Sequence, residues 1–320
     1  MPLPDSPPDT TSTVESDRTS SARWKWLARL VAGAALLAFL VVRGDAATLG
    51  KTLARVPLWT LGAGIAWYLG GQVLSAVKWR VLLQARDTKI PLRRCCALYW
   101  LGMFSNLWLP GSIGGDAVRV WRLRAHGIGG GVAAASVLLE RLTGFAALLS
   151  LGVLGLLWTQ ASIGVTRLLW VSLAAFVAVP FLFVVLRRAR SRLDSKLGRK
   201  LIGVADAVAF YGGARGRGAV AVSLILSFIF QASQIALGIG LARAIGWNLP
   251  TQTFFWLIPV LALASLVPVG IGGLGVREAA AVALVGSAAP AETAIAWSLL
   301  WQAVVWLASV PGGWWLVREE

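Results

Sequence analysis

The chain has 320 residues, of which 57% are hydrophobic and only 14% are charged. Because a soluble domain is about 25% charged, this composition excludes an ordinary soluble fold and indicates a polytopic α-helical membrane protein. The formal net charge is +16, but the basic residues lie in loops between apolar runs, so we expect anionic membrane lipids as partners and no nucleic acid.

The sequence contains few residues that could bind a metal or a cofactor. The only two cysteines, Cys95 and Cys96, are adjacent, and the only histidine is His126. This spacing fits neither a zinc site nor a CxxC redox motif. We therefore expect no metal, no cofactor and no Ser-His triad, and we predict that the protein is not an enzyme.

The N-terminal part of the chain begins with a polar segment. Residues 1–22 are rich in Pro, Ser, Thr and Asp and are predicted to form a disordered cytoplasmic tail. A basic and then apolar run over 23–42 resembles a signal peptide, but no small-residue cleavage site follows, so we assign it as a first helix. The second crossing is 57–83. The loop 43–56 between them should be external, although its three basic residues fit that position poorly.

The middle of the chain contains an apolar run with basic loops on both sides. If positive charge marks the cytoplasm, both ends of this run lie inside, and 95–126 forms a re-entrant hairpin rather than a crossing. The basic loop 187–217 is cytoplasmic for the same reason, which places both chain termini in the cytoplasm. The remaining predicted segments are crossings at 130–157, 167–186, 218–242 and 292–317, and a second hairpin at 253–288 entering from outside.

A ten-residue motif occurs twice, at the break in each hairpin. PGSIGGDAVR occupies 110–119 and PVGIGGLGVR occupies 268–277, with six identical positions. We predict a single membrane domain, 23–317, with about six transmembrane helices and two re-entrant hairpins arranged as an inverted repeat. Its half-repeats are 57–157 and 218–317, joined by a connector at 158–217. The alternatives are two glycine-rich turns that match by chance, or eight simple crossings without symmetry.

Each motif breaks a helix at proline and restarts it after a pair of glycines. The restart exposes unpaired backbone N–H groups and the positive end of a helix dipole, which favour an anion. Arg119 and Arg277 lie one turn into the restarted helices, and a guanidinium can grip a phosphate with two parallel hydrogen bonds. The glycines predicted to bind a lipid phosphate with them are Gly114, Gly115, Gly272 and Gly273.

A structural role for the two arginines is the alternative. Arg119 would then tie its own hairpin to Asp116 or Glu140, and Arg277 would pair with Glu278. The same acids could instead take up a proton in turn and couple substrate movement to protons. The halves are not chemically equivalent, because the second motif has leucine where the first has Asp116.

Two further basic residues are candidates for the phosphate site. Lys78 and Arg80 end the second crossing, where they could bind a lipid phosphate at the inner interface. Basic residues that only set the orientation of the protein in the membrane, with side chains that extend to the headgroup level, would give the same sequence pattern.

These residues resemble the lysylphosphatidylglycerol synthase transmembrane-region family, whose members are also called flippase-like proteins. The resemblance covers roughly 25–317 and implies a bacterial or archaeal cytoplasmic-membrane protein. In one branch of the family the membrane domain is linked to the flipping of aminoacylated phosphatidylglycerol. The synthase has a soluble aminoacyltransferase domain after its membrane part, whereas this chain ends at Glu320, so we do not expect lysine transfer. The matching segments are Leu109-Pro110-Gly111, Gly114-Gly115-Asp116, Arg119, Glu140-Arg141 and Gly272-Gly273-Leu274-Gly275-Val276-Arg277-Glu278.

The function expected from these features is a lipid flippase or scramblase that moves an anionic phospholipid or lipid-linked phosphate between leaflets. One alternative is a secondary transporter of a small anion. Another is a membrane enzyme acting on lipid-linked phosphate, with Asp116 or Glu140 as the base. A fourth is an accessory subunit of envelope-lipid synthesis, which requires a lipid-modifying enzyme as partner. Homo-oligomerisation is left open.

Overall fold

The computed structural model describes residues 31–39, 42, 45–109, 114–159, 163–188, 195–266, 273–286 and 289–318, which are helical apart from short turns and contain no β-strand. The all-α fold is therefore confirmed. The predicted tail at 1–22, the first part of each motif and Gly272 lie outside the described residues. The helices are α1 (31–39), α2 (Ala46–Ala54), α3 (Leu58–Ala85), α4 (Leu92–Trp108), α5 (Gly114–Ala125), α6 (Gly130–Trp158), α7 (Ile163–Arg188), α8 (Lys196–Ala209), α9 (Ala214–Ala244), α10 (Thr251–Ala264), α11 (Val276–Val285), α12 (Ala291–Ser309) and α13 (Pro311–Arg318).

Three segments of the described chain are long and apolar enough to cross a membrane. They are α6 with 29 residues, α9 with 31 residues, and Ala291–Trp315 with 25 residues, which joins α12 to α13. At about 1.5 Å per residue, each exceeds the ~30 Å thickness of a hydrocarbon core. Helix α3 has 28 residues, but polar side chains such as Gln72 and Lys78 lower its hydropathy. These spans confirm a multi-pass membrane protein, and the number of crossings stays a prediction.

The two predicted hairpins correspond to two pairs of packed helices. Helix α4 packs against α5, and α10 packs against α11. Within the first pair the backbones approach closely, because Gly102 of α4 faces Gly115 of α5. The re-entrant placement of both pairs in the bilayer stays a prediction.

The helices α3–α6 and α9–α12 follow one another in the same way. Just after the end of the first helix of each set lies a residue with a left-handed backbone, Asp87 with φ 57° after α3 and Gly246 with φ 75° after α9. The next residue donates its N–H to a carbonyl five residues earlier, which satisfies a carbonyl at the helix end. The second helix of each set then begins after a proline, Pro91 or Pro250. This shared turn is what an internal repeat requires.

In each helix set a tryptophan side chain connects the first and the last helix. In the first set the tryptophan lies on the first helix, and in the second set it lies on the last helix. Trp79 of α3 donates its indole N–H to Ser136 Oγ of α6 at 3.0 Å. Trp297 of α12 donates its indole N–H to the Gly238 carbonyl of α9 at 2.8 Å. Trp79 and Gly238 lie equally far before the left-handed residue that follows the first helix of their set. Ser136 and Trp297 lie equally far after the N-cap of the last helix of their set. The two contacts therefore occupy equivalent positions. The two helix sets are therefore closed by the same contact with donor and acceptor exchanged.

The largest apolar cluster among the described residues lies mainly in the second helix set and also includes residues of α6 and α7. Trp247, Phe254 and Trp297 form a cluster of tilted rings with centroids 5.5–6.1 Å apart, a separation typical of favourable aromatic pairs. All three side chains are almost fully buried. This rigid cluster supports α12, which contributes to the cavity described below.

Gly115 provides a test of the first hairpin. A Cβ at this position would overlap the Gly102 carbonyl oxygen, and backbone cannot yield as a flexible side chain does. We expect Gly115→Ala to lower the free energy of unfolding by about 1–3 kcal/mol or more, as overpacked cores do. The measurement is chemical unfolding in detergent. Gly70→Ala is the matched control, because a Cβ at Gly70 meets nothing within 4 Å. Equal stability of both variants would contradict the close helix contact.

Candidate functional site

A cavity of about 360 Å³ lies between the two helix sets. Residues of α3, α4 and α6 line it from one side, and residues of α9, α10, α11 and α12 line it from the other. Its charged lining residues are Lys78, Glu140, Arg141 and Arg277, and its amide side chains are Gln72, Asn106, Gln231, Gln234 and Gln302.

Glu140 lies at the centre of a buried ion network. Its Oε1 is 3.0 Å from Lys78 Nζ and accepts a hydrogen bond from the Tyr99 hydroxyl at 3.2 Å. Its Oε2 is 2.9 Å from Arg119 Nη1. Lys78 and Glu140 are each only 3% exposed. Because an isolated buried charge is very costly, these groups depend on one another.

Asp116 extends the network to a third cation. Its Oδ1 is 3.3 Å from Arg119 Nη1. Arg141 binds the same carboxylate with two hydrogen bonds, from Nε at 2.7 Å and from Nη2 at 3.0 Å. The network therefore contains the cations Lys78, Arg119 and Arg141 and the carboxylates Asp116 and Glu140, with one excess positive charge.

Arg119 lies in the wall of the cavity rather than on its surface. It is 2% exposed, and its guanidinium carbon is 4.0 Å from the Trp79 ring centroid and 4.3 Å from that of Tyr99. Its ion pairs are those of the structural alternative, in which it ties its own hairpin to Asp116 or Glu140. The direct phosphate contact of Arg119 stays a prediction.

Arg277 differs from Arg119 in lining the cavity directly. Its guanidinium carbon is 4.6 Å from the Trp301 ring centroid and 6.0 Å from that of Trp297. Its buried Nε has no hydrogen-bond partner among the described residues. The alternative pairing with Glu278 is not seen within salt-bridge distance there. Arg277 is therefore a cavity cation held by aromatic rings and not by a carboxylate.

Two of the described backbone amides at the helix restarts have side-chain partners. Gly115 donates its N–H to Asn106 Oδ1 at 2.7 Å. Gly275 donates its N–H to Glu278 Oε2 at 2.6 Å, and Ser298 donates to Glu278 Oε1 at 2.8 Å. Asn106 thus occupies the N–H of Gly115, a residue predicted to bind an anion, and Glu278 occupies the N–H of Gly275 at the second restart.

The motif glycines have clear roles in chain geometry. A Cβ at Gly114 would overlap the Leu109 side chain. Gly273 has φ +83°, a backbone conformation that other residues rarely adopt. The binding role predicted for these glycines stays a prediction.

The remaining predicted residue, Arg80, lies away from the cavity lining. Its Nε donates to the Ile90 carbonyl at 3.0 Å and so fastens the loop between α3 and α4. Arg141 was not predicted as a site residue, although its place beside Glu140 inside an apolar run was a signal. Within the ranges described, no group of three His, Cys, Asp or Glu side chains could hold a metal ion.

Glu140 should be the most sensitive member of the network. Glu140→Gln leaves Lys78 and Arg119 buried without that carboxylate, so we expect the free energy of unfolding to fall by about 3–5 kcal/mol. Lys78→Met should cost less, because Glu140 keeps Arg119 and Tyr99. Denaturant titration in detergent measures both, with Glu292→Gln as a carboxylate control outside the network. A larger loss for Lys78→Met than for Glu140→Gln would contradict the central position of Glu140.

Comparison with known proteins agrees with this architecture. The family model for the lysylphosphatidylglycerol synthase TM region matches residues 26–312. That range contains both helix sets and the whole ion network, and the resemblance inferred from the motifs is confirmed. No curated protein matches the chain significantly. The chain belongs to the lysylphosphatidylglycerol synthase TM-region family and is a multi-pass membrane protein of that family.

Proposed function

We propose that the protein moves an anionic phospholipid, or another lipid-linked phosphate, between the two leaflets of the bilayer. The observation that carries this proposal is the cavity between the helix sets, which brings Lys78 and Arg141 together with Arg277. Membership in a family described by a lipid synthase supports a lipid as the substrate.

Two of the cavity cations have donors available for a phosphate. Arg277 lines the cavity, and no carboxylate among the described residues lies within salt-bridge distance of it. Arg141 uses Nε and Nη2 for Asp116, and 39% of its side chain is exposed. Guanidinium groups suit phosphate oxygens in both charge and planar geometry. Arg119 lies within the cavity wall and stabilises this site indirectly, because it holds Glu140 in place.

The apolar part of the lining favours a lipid over a small hydrated anion. Phe145, Leu148, Phe230 and Ile258 line the same cavity as the cations. An apolar wall can accompany acyl chains near the headgroup, whereas a free inorganic anion gains nothing from it. Secondary transport of a small anion is the second candidate, because the cations alone would serve it equally well.

Translocation follows from the predicted inverted repeat. If the two helix sets have opposite orientations in the membrane, rocking one against the other opens a central site to each leaflet in turn. In this proposal Asp116 and Glu140 act as counter-ions for the buried cations rather than as proton carriers. The basic segment around α8, with exposed Arg199 and Lys200, faces the anionic cytoplasmic leaflet of a bacterial or archaeal membrane, and both termini lie on that side. No catalytic step is required.

The proposal is tested with the purified protein in liposomes that contain fluorescent phosphatidylglycerol, whose outer-leaflet label is bleached by dithionite. We expect Arg277→Gln to slow translocation about tenfold or more, since a hydrogen bond to a charged group is worth about 1.5–3 kcal/mol. Arg277→Lys should give an intermediate rate, because it keeps the charge but loses the planar fork.

The control variant is Arg217→Gln, which changes an exposed arginine at the start of α9 and should keep the parental rate. Each variant is first compared with the parent by gel filtration and thermal unfolding. A folded Arg277→Gln protein that moves lipid at the parental rate would rule out this site. Uptake of inorganic phosphate by the same liposomes, without lipid movement, would establish the small-anion alternative instead.

A further inference from the structure

The two helix sets are interlocked. Helix α10 of the second set packs against α6 of the first set, and α4 of the first set packs against α12 and α13, which follow one another at the end of the chain. In both cases the second helix of one set contacts the last helical segment of the other. We refer to these contacts as the α6–α10 interface and the α4–α13 interface.

Glycines form both interfaces. A Cβ at Gly155 of α6 would lie 2.7 Å from the Phe255 Cβ of α10. A Cβ at Gly312 of α13 would lie 2.7 Å from the Phe104 Cβ of α4 and would overlap the Trp100 carbonyl oxygen. The absence of a side chain at each glycine therefore lets two helices approach closely, as small residues do between membrane helices.

The two interfaces occupy equivalent positions in the repeat. Pro259, which packs against Gly152, lies as far after the N-cap of α10 as Trp100 lies after the N-cap of α4. Gly152 lies as far after the N-cap of α6 as Gly313 lies after the N-cap of α12. Because the repeat is predicted to be inverted, the α6–α10 interface faces the outer leaflet and the α4–α13 interface faces the cytoplasmic leaflet.

A different helix, α9, is fastened to the first set by hydrogen bonds. Thr143 Oγ1 of α6 and Ser223 Oγ of α9 are 2.9 Å apart. Trp67 of α3 donates its indole N–H to the Ser233 carbonyl of α9 at 2.9 Å. By contrast, no hydrogen bond or ion pair joins α6 to α10 within the described ranges. Parting α9 from the first set would leave polar groups unpaired in lipid, whereas two apolar helix surfaces can exchange their contact for acyl chains.

Both interfaces border the cavity. Leu148 of α6 and Ile258 of α10 line it beside the α6–α10 interface. Tyr99 and Met103 of α4 line it beside the α4–α13 interface. If either interface parts, the cavity is therefore connected to the lipid of one leaflet.

We propose that the α6–α10 and α4–α13 interfaces are the two lateral passages for the acyl chains of the transported lipid, and that they part alternately, one towards each leaflet. This inference rests on the proposed function, because it assigns the route between the bilayer and the phosphate site. The phosphate contacts the cavity cations while the acyl chains lie between apolar helix surfaces. The hydrogen bonds of α9 hold α3, α6 and α9 together in both states.

Reversible cross-links across the interfaces test this inference. The paired variants, made in a protein whose two native cysteines are replaced by alanine, are Gly155→Cys with Phe255→Cys and Gly312→Cys with Phe104→Cys. The Cβ separation of 2.7 Å in each pair is within about 1 Å of the range found in disulfides. We expect oxidation of either pair to slow phosphatidylglycerol translocation in liposomes about tenfold or more, because a required opening is blocked. Reduction should restore the rate.

The matched control is Thr143→Cys with Ser223→Cys. The two side-chain oxygens are 2.9 Å apart, so the thiols that replace them should form a disulfide between α6 and α9. Because these helices stay together in both states, oxidation of this pair should leave the translocation rate unchanged. A control that is slowed as much as the interface pairs would overturn the assignment of the passages.

Spin labels at exposed positions give a second measurement that leaves the interfaces unaltered. Leu157→Cys of α6 and Gln252→Cys of α10 change exposed side chains near the α6–α10 interface. In nanodiscs that contain phosphatidylglycerol, double electron–electron resonance should show two distance populations for this pair, one for each state. A single narrow population would overturn the inference.

The outcomes also separate this inference from the proposed function. If the parent moves lipid and the cross-linked interface pairs move it at the same rate, the two passages fail and the phosphate site stands. Folded interface pairs that form no disulfide on oxidation would contradict the close helix contacts and overturn the passages as well. A parent protein that moves no lipid would contradict the proposed function itself.

Discussion

One carboxylate, Glu140, connects four helices of the first helix set. It lies on α6 and contacts Lys78 on α3, Tyr99 on α4 and Arg119 on α5. Helices α3, α4 and α6 are largely apolar, and dispersion between apolar helices gives little directional preference inside a membrane. The buried ion network therefore sets the relative positions of the helices, and through them the shape of the cavity wall. The proposed phosphate site depends on this network even where its members do not face the cavity.

The second helix set keeps the motif arginine but not its counter-ions. Trp301 lies as far after the N-cap of α12 as Glu140 lies after the N-cap of α6. Leu237 lies as far before the turn that follows α9 as Lys78 lies before the turn that follows α3. Arg277 consequently stacks on Trp301 at 4.6 Å instead of forming an ion pair. The two arginines thus have the same place in the repeat and different consequences: one organises helices, and the other presents its charge to the cavity.

The sequence was sufficient for the fold class and the family, because composition and a duplicated motif report on them directly, whereas it offered the partners of Arg119 only as one of two alternatives. It was not sufficient for the cavity wall. Helices such as α9 are apolar on most sides, so periodicity does not reveal that Gln234 lines a cavity while Gln231 bonds to α6. The anion role of the helix restarts was inferred from helix dipoles, which act on any nearby acceptor. Asn106 and Glu278 supply such acceptors from within the protein, and only the tertiary structure places Asn106 beside Gly115.

The exchanged tryptophan contact limits how this architecture can change during evolution. Trp79 and Ser136 form one complementary pair, and Gly238 and Trp297 form the other, each within its own helix set. A gene rearrangement that substituted α12 for α6 would place one indole against another in a fully packed interior. One that substituted α9 for α3 would leave a hole between glycine and serine. Single helices are therefore not interchangeable between the two helix sets.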